Sequence, residues 1–119
     1  MSEKEHKISL GRFELSLNVK DIHKSLAFYT KLGFEQVGGK IDDNWLELRQ
    51  PGSELRIGLY QGHIAKNRLT FFGGDVFGNE NSFEAQGLQM SIKAHREGDK
   101  SDGTSIDDPD GNVIYLNTW

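Results

Sequence analysis

Cysteine is absent from the 119 residues. Disulfides, thiolate catalysis and thiolate metal ligation are therefore excluded. The absence fits a reducing compartment. Proline occurs only twice, so no stiff extended linker divides the chain. No apolar run approaches the roughly 20 residues of a membrane span. A basic excess is also missing: 14 Lys and Arg stand against 18 Asp and Glu, for a net charge of −4. Nucleic-acid backbones are held by basic clusters, so no nucleic-acid partner is expected. The opening residues MSEKEHK are charged and lack the apolar stretch of a signal peptide. The expectation is a cytoplasmic protein with no membrane partner, whose residues 1–8 form a loose tail.

What is present is a patterned chain with seven Phe and fourteen Gly, enough for one core and many turns. Phe13, Leu15, Leu17 and Val19 alternate with Glu14, Ser16 and Asn18, the period of a strand with one buried face. The simplest expectation is that the polar face meets water. Asp21 suits a helix N-cap. Ile22, Leu26 and Tyr29 then recur at helical spacing, with Phe28 and Leu32 widening the stripe. Gly33 supplies the left-handed C-cap conformation.

Short strands follow. Glu35–Val37 runs to a Gly38-Gly39 break, and Trp45–Arg49 and Leu55–Tyr60 alternate around a Pro51-Gly52 turn. Residues 62–68 read as a connection. Leu69–Phe72 is a fresh strand, Ser82–Gly87 a short helical turn, and Leu88–Ala94 another half-buried strand. Thr104–Asp107 and Val113–Thr118 are extended pieces separated by the turn signal Asp108-Pro109-Asp110-Gly111. The order β-α-β-β-β thus occurs once clearly and again in a degenerate form.

Two runs carry a family resemblance. One is Asn18-Val19-Lys20-Asp21 with Ser25-Leu26-Ala27-Phe28-Tyr29 and Leu32-Gly33-Phe34; the other is Asp108-Pro109-Asp110-Gly111-Asn112. In this order the chain resembles the vicinal oxygen chelate superfamily, which includes glyoxalase I, extradiol dioxygenases and bleomycin resistance proteins. The resemblance implies an α+β fold of paired βαβββ modules. They form a curled mixed sheet with a concave cleft and helices outside. It places module one at about 10–61 and module two at about 66–119 of a single domain, and implies a homodimer. Leu15, Leu17, Leu46, Leu48, Ile57, Leu59, Ile114 and Leu116 are then expected under the helices. The opposite faces would bind a small molecule, chiefly through Glu14, Ser16, Asn18, Trp45, Glu47, Arg56, Tyr60, His95 and Tyr115.

Metal enzymes of this family hold a divalent ion such as Zn, Ni, Mn or Fe(II) on His or Glu from the first and last strands of each module. Glu14 matches the first ligand position. Gly58 and Phe71 match the next two and cannot ligate. Tyr115 stands where a Glu follows the final turn, and a phenol is a poor ligand at neutral pH. His63, in the run Gly62-His63-Ile64-Ala65, reads either as a substitute ligand or as a loop histidine. Glu14, Glu47 and His95 form another conceivable ligand set. Alternatively, Glu14 and Glu47 pair with Arg49, Arg56 or Lys93. Trp45, Tyr60, Tyr115 and Trp119 suit either an aromatic wall for a flat ligand or ordinary packing. Two functions follow: a small-molecule binding protein without the usual metal or other cofactor, or a metal-dependent lyase or dioxygenase built on Glu14 with non-standard ligands. The scaffold hosts both, so the fold leaves open whether the chain is an enzyme.

Overall fold

The structure is a computed structural model and describes residues 7–101 and 103–119. The first six residues of the expected tail, including His6, lie outside the described residues. The fold is α+β. Its elements are β1 (Gly11–Asn18), α1 (Ile22–Lys31), β2 (Glu35–Lys40), β3 (Trp45–Gln50), β4 (Leu55–Tyr60), β5 (Arg68–Gly73), α2 (Val76–Ala85), β6 (Thr104–Asp107) and β7 (Val113–Asn117). Two compact units divide them: Glu14–Arg68, and the N-terminal residues up to Phe13 together with Leu69–Trp119.

The Glu14–Arg68 unit has the strand order β2-β3-β4-β1. β2 and β4 flank β3 antiparallel, and β1 runs parallel to β4. A parallel neighbour requires a crossover, which α1 supplies. The ends of α1 are set by local chemistry. Asp21 Oδ1 accepts from the backbone N–H groups of His23 and Lys24 at 3.1 and 3.2 Å. At the other end Gly33 has φ +94, Gly33 N–H donates to the Thr30 carbonyl and Phe34 N–H to that of Tyr29. The Tyr29 and Phe34 rings meet edge-on at 5.4 Å, the apolar contact that accompanies this termination.

The apolar parity holds. Ile22, Leu46, Leu48, Ile57 and Leu59 form the core of this unit, and Leu15, Leu17, Val19, Leu26, Tyr29 and Phe34 pack against it. Each fully buried aliphatic side chain contributes about 1.5–3 kcal/mol. Phe28 and Leu32 do not join the stripe; they are 58% and 54% exposed. A ten-residue helix on a four-stranded layer buries one stripe, and these two positions fall beyond its edge. Gly38-Gly39 is no break either: β2 continues to Lys40 through a register shift between Gln36 and Gly38.

In the other unit the order is β5-β7-β6, with β6 and β7 antiparallel. The expected turn at 82–87 is the end of a ten-residue helix, α2. Asp75 Oδ1 caps it through Gly78 N–H at 3.1 Å. Its apolar residues are too scattered to give a helical stripe, which hides the first two turns from a periodicity reading. Buried Asn79 on α2 clamps the chain start: its Nδ2 donates to the Ser9 carbonyl at 2.7 Å and its Oδ1 accepts from Ser9 N–H at 3.0 Å. The strand expected at Leu88–Ala94 reduces to one bridge, Ile92 with Ser105. Leu88 and Ile92 are 50% and 61% exposed, so the alternation there lacks the cover that would hold a full strand. Carboxylates secure this segment instead. Glu80 accepts from Ala94 N–H at 2.6 Å, and Glu84 pairs with Lys93 at 2.7 Å. Among the described residues no helix is long and apolar enough to cross a membrane.

Candidate functional site

The face of β1, β3 and β4 opposite the core carries the candidate residues. Register places Ser16 beside Gly58 and Gly58 beside Glu47; one step along, Asn18 lies beside Tyr60 and Tyr60 beside Trp45. Period-two alternation puts Glu14 and Arg56 on the same face.

This face is not simply solvated. Glu14 is 2% exposed and Ser16 is fully buried. Glu14 Oε2 accepts from the Ser16 hydroxyl at 2.8 Å and from the Tyr60 hydroxyl at 2.8 Å. Burial holds the Glu14 carboxyl above its ordinary pKa. The Ser16 and Tyr60 hydrogen bonds pull it back, Glu47 adds to the rise, and Arg68 opposes it. The Tyr60 phenol is pushed up by burial and then by the Glu14 charge. Tyr60 therefore keeps its proton and acts as the donor.

Glycines make this arrangement possible. A Cβ on Gly58 would fall within the Glu14 carboxyl and against the Tyr60 ring. On β2, a Cβ on Gly38 would lie 3.3 Å from Glu47 Oε1, and one on Gly39 would meet the β3 backbone at the Trp45 carbonyl and Leu46 Cα before reaching the Trp45 ring. Large side chains thus lie along the sheet where neighbouring strands have none. The Trp45 and Tyr60 rings are parallel within 8° at 6.3 Å, a wide offset. Trp45 is 36% exposed.

Charges on this face are locally paired. Arg56 Nη1 lies 3.4 Å from Glu47 Oε1. Arg49 turns to Glu54 at 2.9 Å and Glu35 at 3.4 Å. Of the expected pairings, Glu47 with Arg56 forms; Glu14 takes hydroxyl donors instead, and Lys93 pairs with Glu84. Asn18 serves the adjoining loop: its N–H donates to Asn67 Oδ1 at 2.8 Å and its Nδ2 to the Ala65 carbonyl at 3.3 Å. His63 Nε2 lies 2.8 Å from the Asp43 carbonyl, and its ring meets the edge of Tyr60 at 6.4 Å.

His95 and Tyr115 belong to the other unit. His95 Nε2 lies 3.9 Å from Glu97 on an exposed side chain. Tyr115, opposite Ser105 on β6, lies over Gly103, where a Cβ would collide with the phenol. Trp119 is capped by Lys100 Nζ at 4.7 Å.

The metal site implied by the family resemblance does not fit these residues. Glu14 Oε2 already accepts two hydroxyl hydrogens, so only Oε1 of this carboxyl is left to offer a cation. The space a side chain at 58 would use is filled by Glu14 and Tyr60. Phe71, at the third position, packs on Phe13 at 5.3 Å. Among the described residues no three His, Asp or Glu side chains form a group that could hold a metal ion, including Glu14, Glu47 and His95.

The alternation identified this face, but not the burial of Glu14 or the part played by the glycines. The available signal was Gly38-Gly39 beside the Trp45–Glu47 strand, since glycine inside a strand marks close approach by other groups.

The comparisons agree with the architecture. The model of the Glyoxalase/Bleomycin resistance protein/Dioxygenase superfamily matches residues 10–116. Among solved structures, an NAD-dependent benzaldehyde dehydrogenase from Legionella pneumophila is similar at TM-score 0.73 and 16% identity, covering 89% of this chain and 97% of that one. Methylmalonyl-CoA epimerase from Mycobacterium tuberculosis is similar at TM-score 0.66 and 20% identity, covering 98% of this chain and 94% of that one. A superfamily member from Vibrio splendidus 12B01 gives TM-score 0.60 and 17% identity, with 87% and 95% covered. At these identities the likeness is one of fold. No curated protein matches the chain. The chain belongs to the glyoxalase/bleomycin resistance protein/dioxygenase superfamily.

Proposed function

We propose that this chain is a small-molecule binding protein of the bleomycin-resistance kind, taking its ligand on the Glu14 face without a metal. One observation carries the reading: the Glu14 carboxylate is committed to Ser16 and Tyr60 within its own unit. Two hydroxyl donors hold Glu14 Oε2, and the Arg68 charge acts on the same carboxyl. The face nonetheless keeps an exposed aromatic ring at Trp45 and polar groups at Glu47 and Arg56, the mixture a small-molecule site needs. A homodimer, on the family resemblance, and a cytoplasmic location, which the cysteine-free composition fits, complete the reading.

The competing reading, a metal-dependent lyase or dioxygenase built on Glu14, requires this carboxyl to take a cation beside the two hydroxyl hydrogen bonds on Oε2. Elemental analysis after incubation with Zn, Ni, Mn or Fe(II) separates the two. We expect no tightly held metal. One metal per chain, lost in Glu14→Ala, would support the competing reading and remove ours.

A further inference from the structure

The Trp45–Tyr60 surface and the Glu47–Arg56 pair lie on the same face, and the order of their groups carries a chemical specification. Trp45 and Tyr60 share one level of the β3–β4 ladder. Glu47 is two residues further along β3, about 7 Å away. Arg56 follows one level beyond on β4, with its guanidinium 3.4 Å from Glu47 Oε1. That distance is longer than the roughly 2.8 Å of a strong charge-assisted bond. The contact is single rather than a bidentate fork, so an approaching group can share both side chains. Gly38 lies under Glu47, and Gly58 under Tyr60. Trp45 is 36% exposed, and the Arg56 and Glu47 side chains are 35% and 19% exposed, so the ring and the carboxylate–guanidinium pair each keep accessible surface on this face.

A ligand matched to this surface is flat, about two fused rings long, and neutral, because Glu47 and Arg56 offset each other. Its edge must give N–H donors to the carboxylate and an acceptor to the guanidinium. The geometry points to a planar heteroaromatic with an amino-lactam edge, in which a ring N–H and an exocyclic amine sit beside a carbonyl. Its rings lie over Trp45, its donors meet Glu47, and its carbonyl meets Arg56. This assignment deepens, and rests on, the reading of this face as a metal-free binding site. Nothing covalent happens to the ligand.

Pterin (2-amino-4-oxopteridine) is a suitable probe, followed by its own fluorescence polarisation. Lumazine, in which a carbonyl replaces the 2-amino group, is the control that keeps the ring N–H but loses the amine donor toward Glu47. We expect saturable pterin binding with a Kd of about 100 µM or tighter, within reach of a ligand this small. Lumazine should bind about tenfold or more weakly. Trp45→Ala should weaken pterin about 5- to 100-fold, the range for losing one stacking partner, and Trp45→Phe should recover most of it. Glu47→Gln should abolish the preference for pterin over lumazine. Circular dichroism melts establish that each variant is folded, and Trp45→Phe keeps the test valid where the Ala variant is not.

No pterin binding at about 1 mM, a Kd corresponding to only marginal association, would overturn the assignment. Equal affinity for lumazine, or binding indifferent to Trp45 and Glu47, would do the same. A chain that ignores pterin and takes up no metal loses this assignment alone. One that binds a metal through Glu14 loses the metal-free reading itself.

Discussion

The Tyr60 hydroxyl donates to Glu14 Oε2 at 2.8 Å, joining two residues 46 positions apart in the chain. The bond crosses Gly58, and a side chain there would displace one partner or the other. A buried carboxylate held by hydroxyl donors is costly to disturb, because loss of one donor leaves an acceptor short of its complement. Tyr60→Phe should lower stability by about 1–3 kcal/mol. It also removes one of the bonds that restrain the Glu14 pKa, so that pKa should rise further. Chemical denaturation and a carboxyl-carbon NMR titration measure the two effects.

Glu14 itself predicts an unusual pH dependence. Its pKa is raised in the folded chain, chiefly by burial. The folded state therefore binds this proton more tightly than the unfolded state. The carboxyl contributes nothing adverse below its unfolded pKa, and its penalty grows as pH rises from there to the folded pKa. Glu14→Gln keeps an oxygen acceptor and removes the titration. Its stability relative to wild type should increase across that window and level off above it. Urea melts at pH values from 4 to 8 test the sign.

The glycines under the site differ in how much they can give. At Gly58 an added Cβ meets a buried carboxyl and a ring fixed by its own hydrogen bond. At Gly38 it meets Glu47, whose Oε1 end lies 3.3 Å away and is free to swing with its pair. Gly58→Ala should cost about 1–3 kcal/mol through overpacking. Gly38→Ala should be within about 0.5–1 kcal/mol of neutral, since lost chain entropy offsets a small adjustment. Thermal melts of the two variants side by side provide the comparison.

Reading the chain by alternation succeeded where one face of a strand is apolar and the other polar. Leu46, Leu48, Ile57 and Leu59 define the core, and that parity places Trp45, Glu47 and Tyr60 on the opposite face. Asp21 and Gly33 mark α1 because capping is local chemistry. Depth was not legible: Glu14 and Ser16 look like solvated positions in the alternation, yet both are buried. Gly38-Gly39 looked like punctuation, yet it is strand, with the Glu47 side chain against Gly38 and the β3 backbone close against Gly39. Leu88–Ala94 shows the opposite error, with strand alternation but little cover over Leu88 and Ile92. Only the end of helix α2 was legible, because polar contacts from Asn79, Glu80 and Glu84 fasten the segments beside it, and these leave no period in the sequence.

Asn79 offers a test in the second unit. Its buried amide makes both hydrogen bonds to Ser9, 70 positions away. Asn79→Ala should cost about 1–3 kcal/mol by leaving the Ser9 N–H without this partner and its carbonyl with the Asp75 N–H alone. Hydrogen exchange at the Ser9 amide should accelerate more than at the centre of β3, locating the loss at the chain start.

The most direct measurement is the Glu14 side-chain carboxyl carbon resonance followed by NMR during titration with Mn(II), with Zn(II) as the diamagnetic control. If Ser16 and Tyr60 hold that carboxylate in place of a metal, the resonance keeps its position and width through one equivalent of either ion. Broadening by Mn(II) and a shift by Zn(II), both complete at one equivalent per chain, would contradict the account.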